Sequence, residues 1–290
     1  MIVDRLRLDG RAVVVGGAGG GGIGTGVCVA LAEAGATVVG LDTTELGRDV
    51  ATQALEAAPG RHLVLDADLR DPESAATAVA RAVEEVGELW GAVNVVGGMR
   101  AQHWARLLDD GTAERFDDVL ALNLRTSLVG ATTVAQRLLE QGTGGSIVNI
   151  VSAAGLVSMP YGAAYGAAKA ALVNLTRTMA VEWGRHDIRV NAVAPGSIRV
   201  ARIGRERYDT AETDDLRRSI REVVPLGRRG EADDIAGAVL YLLSDLAGYV
   251  SGHVIVVDGG AQARAAYNDG DNLPVFVSDP ALRARLLDDA

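Results

Sequence analysis

The chain has 290 residues, 48% hydrophobic and 23% charged, the composition of a globular protein able to bury a sizeable core. Its formal net charge of −10 argues against a nucleic-acid partner, because phosphate binding requires a basic face. Cys28 is the only cysteine, so no internal disulfide can form, and we expect a cytoplasmic protein. The scattered histidines predict no metal site, and no apolar run approaches the roughly 20 residues that span a bilayer.

Short β-branched runs alternate with helical patterns along the whole chain. Strands are predicted at residues 12–15, 37–41, 63–66, 92–96, 146–151, 188–193 and 254–257. Helices are predicted after the glycine-rich residues 16–24, ending near residue 34, and at 45–57, 72–86, 112–140 and 161–184. This alternation predicts an α/β fold, a single-domain Rossmann-like doubly wound parallel sheet of about seven strands with helices on both faces.

Two segments depart from this alternation. Residues 198–222 are charged and arginine-rich, and we predict a mobile substrate lid over the strand ends, where such sheets bind ligands. Residues 263–290 follow the last strand and are predicted to be a C-terminal extension. Residues 1–262 are therefore predicted to form one domain.

A glycine-rich loop joins the first strand to the first helix. Gly17-x-Gly19-x-x-Gly22 fits dinucleotide spacing, and Ile23 and Gly24 lead into the helix. Glycine lets a pyrophosphate approach the backbone, and the helix start offers free N–H groups and a positive dipole end. In this strand–loop–helix context the motif indicates a dinucleotide site, and the alternative is a flexible surface loop.

Asp42 ends the second strand, 20 positions after Gly22. A carboxylate there can accept hydrogen bonds from the adenosine ribose and would repel a 2′-phosphate, which favours NAD over NADP. The alternative role for Asp42 is to cap the next helix, and both roles are compatible. Asp68, after the third strand, either contacts the adenine edge or caps a turn.

Lys169 is the only lysine in the chain and follows Tyr165 by four residues. On a helix this spacing places both side chains on one face, about 6 Å apart. Ser152 closes the fifth strand, and the following loop can bring its hydroxyl beside Tyr165. Asn123 lies in the preceding helix, and Pro195-Gly196 follows the sixth strand. Taken singly, these residues could also be a chance exposed lysine, a strand-end cap and a core amide.

Together these motifs resemble the short-chain dehydrogenase/reductase family over residues 6–262. The resemblance rests on the glycine loop, Asn94-Val-Val-Gly97, Asn123, Ser152, Tyr165-x-x-x-Lys169, Pro195-Gly196, Pro225-Leu-Gly-Arg-Arg-Gly230 and Val257-Asp-Gly-Gly260. It implies an NAD-dependent alcohol dehydrogenase or carbonyl reductase that acts on a secondary alcohol or ketone.

The resemblance also implies roles for individual residues. Tyr165 would be the acid/base, made more acidic by Lys169 and the nicotinamide, and Lys169 would hold the nicotinamide ribose. Ser152 would bond the substrate oxygen, and Asn123 would hold a helix bend and a water. The implied cofactor contacts are Gly17, Gly22, Ile23, Gly24, Asp42, Asp68, Leu69, Asn94, Gly97, Tyr165, Lys169, Pro195, Gly196 and Ile198.

Three departures from the family pattern bear on the cofactor site. The glycine loop is one residue longer than usual, Val95-Val96 replaces Asn-Ala after Asn94, and Val200 stands where a threonine is expected. Backbone groups such as those of Ile198 would then carry more of the contact with the nicotinamide carboxamide.

The substrate, the assembly and the reaction class remain open. Arg100, His103 and Trp104 are predicted to border the pocket, His103 being a second acid/base or, as we favour, a solvated loop histidine. Arg199, Arg202 and Arg205 would either meet an anionic substrate or cover a helix surface. Alanines along the helix of Tyr165 favour a homotetramer, with a dimer as the alternative. Competing functions are a non-redox dehydratase, isomerase or cyclase on this scaffold, and a dinucleotide-sensing binding protein.

Overall fold

The computed structural model describes residues 1–109, 111–199 and 213–263, together with residues 279, 281, 284 and 285. A single seven-stranded parallel sheet organises this part of the chain, with strand order β3-β2-β1-β4-β5-β6-β7. Its strands are β1 (Ala12–Gly16), β2 (Thr37–Asp42), β3 (Leu63–Asp66), β4 (Leu89–Asn94), β5 (Gly145–Ile150), β6 (Ile188–Pro195) and β7 (Val254–Val257).

Helices connect the strands and cover both faces of the sheet. They are α1 (Ile23–Glu33), α2 (Glu45–Glu56), α3 (Pro72–Val86), α4 (Thr112–Leu120), α5 (Thr126–Gln141), α6 (Ala163–Trp183), α7 (Asp214–Val223) and α8 (Ala232–Leu243). One core cluster joins α1, α2 and α8 to the sheet, and another joins α3, α5 and α6 to its opposite face. This layering confirms the predicted doubly wound α/β fold.

The strand sequences explain why the sheet is covered on both sides. Every residue of β1 is buried, with Val13 and Val15 in one core cluster and Val14 in the other. Successive strand side chains point to opposite faces, so a continuous valine run needs apolar partners on both. β1 pairs with β2 on one side and β4 on the other. The strand order reverses there, which opens a crevice at the carboxyl ends of the strands.

Most predicted elements lie within two residues of their observed positions, and the differences have local causes. The fourth strand was predicted at 92–96 but runs over Leu89–Asn94, because Val95 and Val96 leave the sheet to line the crevice. The predicted helix at 112–140 is divided by a π-helical turn at Ala121–Arg125. Helix α8 was not predicted, and the segment near 198–222 contains α7, which begins at the capping residue Thr213.

The remainder of the two unusual segments lies outside the described residues. For the predicted lid this covers residues 200–212, including Val200, Arg202 and Arg205. For the predicted C-terminal extension it covers residues 264–290 apart from the four isolated positions named above.

Candidate active site

A cleft of about 470 Å³ opens at the carboxyl ends of the strands, beside the β1/β4 reversal. Most of the candidate site residues line it. They are Gly17, Gly22, Ile23, Gly24, Asp42, Asp68, Leu69, Gly97, Ser152, Tyr165, Lys169, Pro195, Gly196 and Ile198. The structure therefore brings together residues that are as much as 181 positions apart in the chain, at the edge where such sheets bind ligands.

The glycine loop ends directly at the start of α1. Gly22 is the residue before the helix and provides no side-chain cap, which leaves the first N–H groups of the helix available to a ligand. Thr25 braces the loop from inside the helix, because its hydroxyl donates to the Ala18 carbonyl at 2.7 Å and accepts from the Gly21 N–H at 3.1 Å. The longer loop is thus an ordered cradle suited to a pyrophosphate.

Asp42 closes the cleft beside this loop. Its carboxylate accepts from the Gly19 N–H at 3.1 Å and from the Thr44 N–H and hydroxyl at 3.0 Å. The capping of α2 itself is done by Thr44, whose hydroxyl accepts from the Gly47 N–H. The nearest downstream cation, Arg48, pairs with Asp66 at 3.0 Å. A negative charge thus remains at the position where an adenosine ribose would meet β2.

Asp68 lies at the same end of the cleft but is paired with Arg70. The two side chains make several hydrogen bonds, the shortest 2.7 Å, and these hold the pKa of the Asp68 carboxyl below its ordinary value. Its neighbour Leu69 also faces the cleft. The Asp68 backbone is also engaged, because its N–H donates to Ser74 Oγ and its carbonyl accepts from the Asp71 N–H, both at 3.0 Å. The Leu69 side chain is therefore the surface here that could contact an adenine ring.

Lys169 is buried at the centre of the cleft, with only 2% of its surface exposed. Its Nζ donates to the Ile150 carbonyl at 2.9 Å and lies 5.8 Å from the centre of the Tyr165 ring. Burial lowers the pKa of Lys169 to about 8, because water no longer stabilises the ammonium. An arginine could not replace this compact donor between a strand end and a phenol.

Asn123 anchors the loop that follows β4. Its side chain accepts from the Gly98 N–H at 2.7 Å and donates to the Gly98 and Val119 carbonyls, both at 3.0 Å. It lies in the π-helical turn at Ala121–Arg125. Gly97 has to be glycine, because a Cβ there would lie 2.7 Å from Asn123 Oδ1 and 3.1 Å from Lys169 Nζ.

Ser152 and Tyr165 face the same part of the cleft from consecutive segments. Ser152 Oγ accepts from the Ala154 N–H at 3.2 Å, so the serine caps a short 3₁₀ turn at Ala153–Gly155 while its hydroxyl proton stays available. That turn packs tightly on α6, since a Cβ on Gly155 would lie 2.7 Å from the Lys169 carbonyl carbon. Ser152 therefore caps the turn at the end of β5 and also lines the cleft.

Two of the expected cofactor contacts have polar groups that are already bonded within the protein. Asn94 is not among the residues that line the cleft, because its buried side chain donates to Asn149 at 2.9 Å, and Asn149 donates to Thr176. These side-chain hydrogen bonds join β4, β5 and α6. Ile198 lines the cleft, but its carbonyl already accepts from the guanidinium of Arg229, which leaves only its N–H for a carboxamide.

Of the residues expected to border the substrate pocket, some line the cleft and others do not. Arg100 lines the cleft, whereas His103 is buried, which overturns our expectation of a solvated loop histidine. Burial, followed by the charge of Arg100, lowers the pKa of His103. Trp104 is half exposed and does not line the cleft. Arg199 is paired with Glu231, so it covers the surface of the fold.

The sequence did not predict that several backbone groups form part of the site. The Ile150 carbonyl that holds Lys169 and the Gly98 peptide that Asn123 holds both line the site. Only the paired glycines at 97–98 signalled a close approach of chain segments. In the part of the chain that the structure describes, there is no cluster of metal-ligating side chains and no helix long and apolar enough to cross a bilayer.

Comparison with known proteins gives consistent matches over most of the chain. Residues 16–262 match the family model described as enoyl-(acyl carrier protein) reductase. The chain is 34% identical over 267 residues to the 2-dehydro-3-deoxy-D-gluconate 5-dehydrogenase of Dickeya dadantii (strain 3937), covering 91% of this chain and 100% of that one. It is 31% identical over 252 residues to the NAD-dependent glycerol dehydrogenase of Listeria innocua, covering 87% and 93%.

A solved structure gives the same result at the level of the fold. The 7α-hydroxysteroid dehydrogenase complexed with NADH and 7-oxo glycochenodeoxycholic acid superposes with a TM-score of 0.79 and 29% identity, covering 89% of this chain and 97% of that one. The similarity thus extends through the sheet, the cleft and the elements that carry the site.

Proposed function

Because the chain belongs to the short-chain dehydrogenase/reductase family and is an oxidoreductase, we propose that it uses NAD(H) to interconvert a secondary alcohol and a ketone. The observation that carries the proposal is the meeting of Tyr165, Lys169 and Ser152 in one cleft with the glycine loop. A nicotinamide bound there supplies or accepts the hydride, and the protein supplies position and proton transfer.

The proton chemistry is assigned to the phenol of Tyr165. In the direction of ketone reduction the phenol donates its proton to the substrate oxygen, and in alcohol oxidation the phenolate accepts it. The Lys169 ammonium favours the ionised phenol, while the Ser152 hydroxyl donates a hydrogen bond to the substrate oxygen as negative charge develops there. Asn123 acts through the Gly98 loop, which it holds against Lys169.

NAD is favoured over NADP by the charge at the ribose end. Asp42 places a carboxylate in the cleft beside Thr43, and Arg48 is already paired with Asp66. A 2′-phosphate would meet repulsion without a cation to offset it. A related glycerol dehydrogenase is NAD-dependent, and the hydroxysteroid dehydrogenase structure holds NADH. These relatives support the same cofactor here.

The substrate is assigned only as a small or medium-sized alcohol or ketone. The substrates named for the relatives differ in charge, since glycerol is neutral and 2-dehydro-3-deoxy-D-gluconate is a carboxylate. A 470 Å³ cleft must hold both the nicotinamide end of a cofactor and the substrate. The lid predicted near 198–222 would complete the pocket.

The decisive experiment compares wild type with Tyr165→Phe in NADH oxidation by a panel of ketones. Loss of the phenol oxygen removes the proton donor, so we expect turnover to fall about a hundredfold or more, while NADH binding, followed by fluorescence, stays unchanged. Tyr241→Phe, remote from the cleft, is the matched control. Unchanged turnover in Tyr165→Phe would remove this residue from the mechanism.

The same panel separates the competing functions. Cofactor absorbance that changes with product formation supports redox chemistry, whereas product formation without that change would indicate a dehydratase, isomerase or cyclase. Tight NADH binding without turnover would indicate a sensor. We further propose that the protein is a cytoplasmic homotetramer.

A further inference from the structure

The cleft contains five charged side chains, and four of them have partners. Asp68 and Arg70 pair with each other, Asp42 accepts from Gly19 and Thr44, and Lys169 donates to a carbonyl. The fifth is Arg100, which is exposed and makes no ion pair in the described part of the chain. Among the described residues, a protein with a net charge of −10 therefore presents to its active-site cleft one guanidinium that no carboxylate pairs with.

The backbone of Arg100 is held on both sides. Two residues before it, both polar groups of the Gly98 peptide unit are bonded to Asn123. Three residues after it, His103 is only 7% exposed and closes a reciprocal pair, since its Nδ1 accepts from the Arg100 N–H at 3.1 Å and its N–H donates to the Arg100 carbonyl at 3.0 Å. The lowered pKa of His103 keeps the ring neutral near pH 7, so that Nδ1 remains an acceptor.

The loop is also fixed against the segment that precedes α6. The Ala105 N–H donates to the Tyr161 carbonyl at 3.0 Å, four residues before Tyr165. A fixed backbone under an exposed guanidinium is unlike an ordinary surface arginine, whose loop and side chain both move with solvent. The backbone of Arg100 is therefore preorganised, and a ligand would have to order only the side chain, which lowers the entropic cost of binding.

The position of Arg100 within the cleft indicates whether its guanidinium faces the substrate or the cofactor. Arg100 follows Gly97 by three residues, at most about 11 Å along the chain, and Gly97 abuts Lys169 and Asn123. The adenosine end, by contrast, is marked by Asp42 and Asp68. The cation thus lies at the reacting end of the cleft, beyond the glycine loop that would hold the pyrophosphate.

We propose that Arg100 is a specificity-determining residue that binds a carboxylate or other planar anion on the substrate, and that His103 is the positioning residue that holds it in place. The substrate class is accordingly an alcohol or ketone with an acidic group elsewhere in the molecule. Arginine suits this role, because its planar guanidinium bonds a carboxylate through two parallel N–H groups. The assignment rests on the proposed function and names its substrate class.

The test uses probes matched in shape but not in charge. These are 4-oxocyclohexanecarboxylate against 4-oxocyclohexanecarboxamide, and 5-oxohexanoate against its amide. Two readouts are taken near pH 7.5: kcat/KM with NADH, and equilibrium binding to the enzyme–NADH complex by nicotinamide fluorescence. Wild type is expected to prefer an acid over its amide by about 10- to 100-fold.

The Arg100→Gln variant should abolish this preference while the amide kinetics change less than about threefold, and Arg100→Lys should keep part of it. Arg106→Gln, an exposed arginine in the same loop that does not line the cleft, should keep all of it. His103→Leu should lose the preference, and His103→Asn, whose side-chain oxygen can replace Nδ1, should recover it.

Each failure has its own meaning. If wild type reduces the ketones but shows no acid preference in either readout, the assignment of Arg100 is wrong and the oxidoreductase proposal stands. If no ketone is reduced, an acid preference in the binding readout that Arg100→Gln removes still supports the anion site. If Arg100→Gln weakens NADH binding as much as acid binding, the guanidinium serves the cofactor and the proposal is overturned.

Discussion

Asp42 makes hydrogen bonds that hold the glycine loop, and it also carries the negative charge at the proposed ribose position. One carboxylate oxygen holds the Gly19 N–H of the glycine loop, and the other holds Thr44 at the start of α2. The side chain is therefore oriented by the protein at the position where a ribose would bind. Asparagine removes the charge and keeps one carbonyl oxygen, which can still accept from the Gly19 N–H, while its NH2 group cannot accept from the Thr44 N–H.

We predict that Asp42→Asn reduces the preference for NADH over NADPH, measured as the ratio of kcat/KM values, by about tenfold or more, since about 1.4 kcal/mol of charge repulsion accounts for each factor of ten. Asp49→Asn removes an equal charge from the exposed side of α2 and should leave the ratio unchanged. A wild-type enzyme that already prefers NADPH would contradict the assignment of the cofactor.

Lys169 provides a prediction about stability as a function of pH. Its pKa is about 8 in the folded protein and near its ordinary value of 10.5 when unfolded. Below pH 8 the lysine is charged in both states and the cost of burying that charge is fully present. Between the two pKa values the unfolded chain binds more protons, so stability rises with pH.

The comparison is with Lys169→Met, which fills similar space without a titrating group. From pH 7 to near pH 9.5, wild type should gain about 2 kcal/mol in the free energy of unfolding relative to the variant, measured by urea denaturation without cofactor. A difference that stays constant across this range would show that burial does not perturb the lysine.

At the scale of elements, the π-helical turn at Ala121–Arg125 connects a helix to the site. The extra residue in this turn points Asn123 inward, where it satisfies the Gly98 N–H and two carbonyls. Such bulges are common at functional sites because they redirect one side chain without ending the helix.

We predict that Asn123→Ala lowers the free energy of unfolding by roughly 2–4 kcal/mol, because several buried polar groups lose their partner, and that it also lowers kcat by freeing the Gly97 loop. Thr133→Ala, which removes only a hydroxyl bonded within α5, should cost less and leave kcat intact. Urea denaturation and NADH-coupled turnover measure the two effects. Full activity in Asn123→Ala would show that the loop does not need this anchor.

The elements that the sequence predicts well are those whose own pattern specifies them. Tyr165 and Lys169 meet because a helix places residues four apart on one face, and the apolar strands specify a sheet covered on both sides. Helix α8 was not predicted because an apolar run of this length is compatible with either a buried helix or a strand. The run includes Val239, Leu240, Tyr241 and Leu242. At the start of the helix the Asp234 carboxylate accepts from the Glu231 N–H, and the Asp234 N–H donates to the Glu231 carbonyl.

Site residues that depend on distant partners are less predictable. Asn94 belongs to the core because Asn149 of the neighbouring strand accepts a hydrogen bond from its side chain, and His103 is buried in a turn that packs against α4. Neither fact is local to the sequence around the residue. The environments of Asn94 and His103 therefore depend on how distant elements pack together.

At the scale of the whole molecule, α5 and α6 lie side by side on one face and expose apolar residues together. Leu128 and Leu139 are more than a third exposed, and Val181 is 83% exposed. The exposed alanines Ala167 and Ala170 lie on the same side of α6. A surface of small and apolar side chains next to one another favours close packing against a second copy, and two-fold symmetry would place the same surface of both subunits in the interface.

We therefore predict a homotetramer of about 120 kDa by light scattering, four times the chain mass of 30.1 kDa. Val181→Asp would place a charge in the proposed interface and should shift the mass toward dimers or monomers, because a desolvated charge without a partner is costly. Val3→Asp, at another exposed apolar position outside this face, should leave the mass unchanged. A wild-type mass of one chain would refute the assembly. Because Tyr165 and Lys169 lie on the same helix as Val181, the variant also tests whether assembly supports the cleft, which kcat at matched protein concentrations would report.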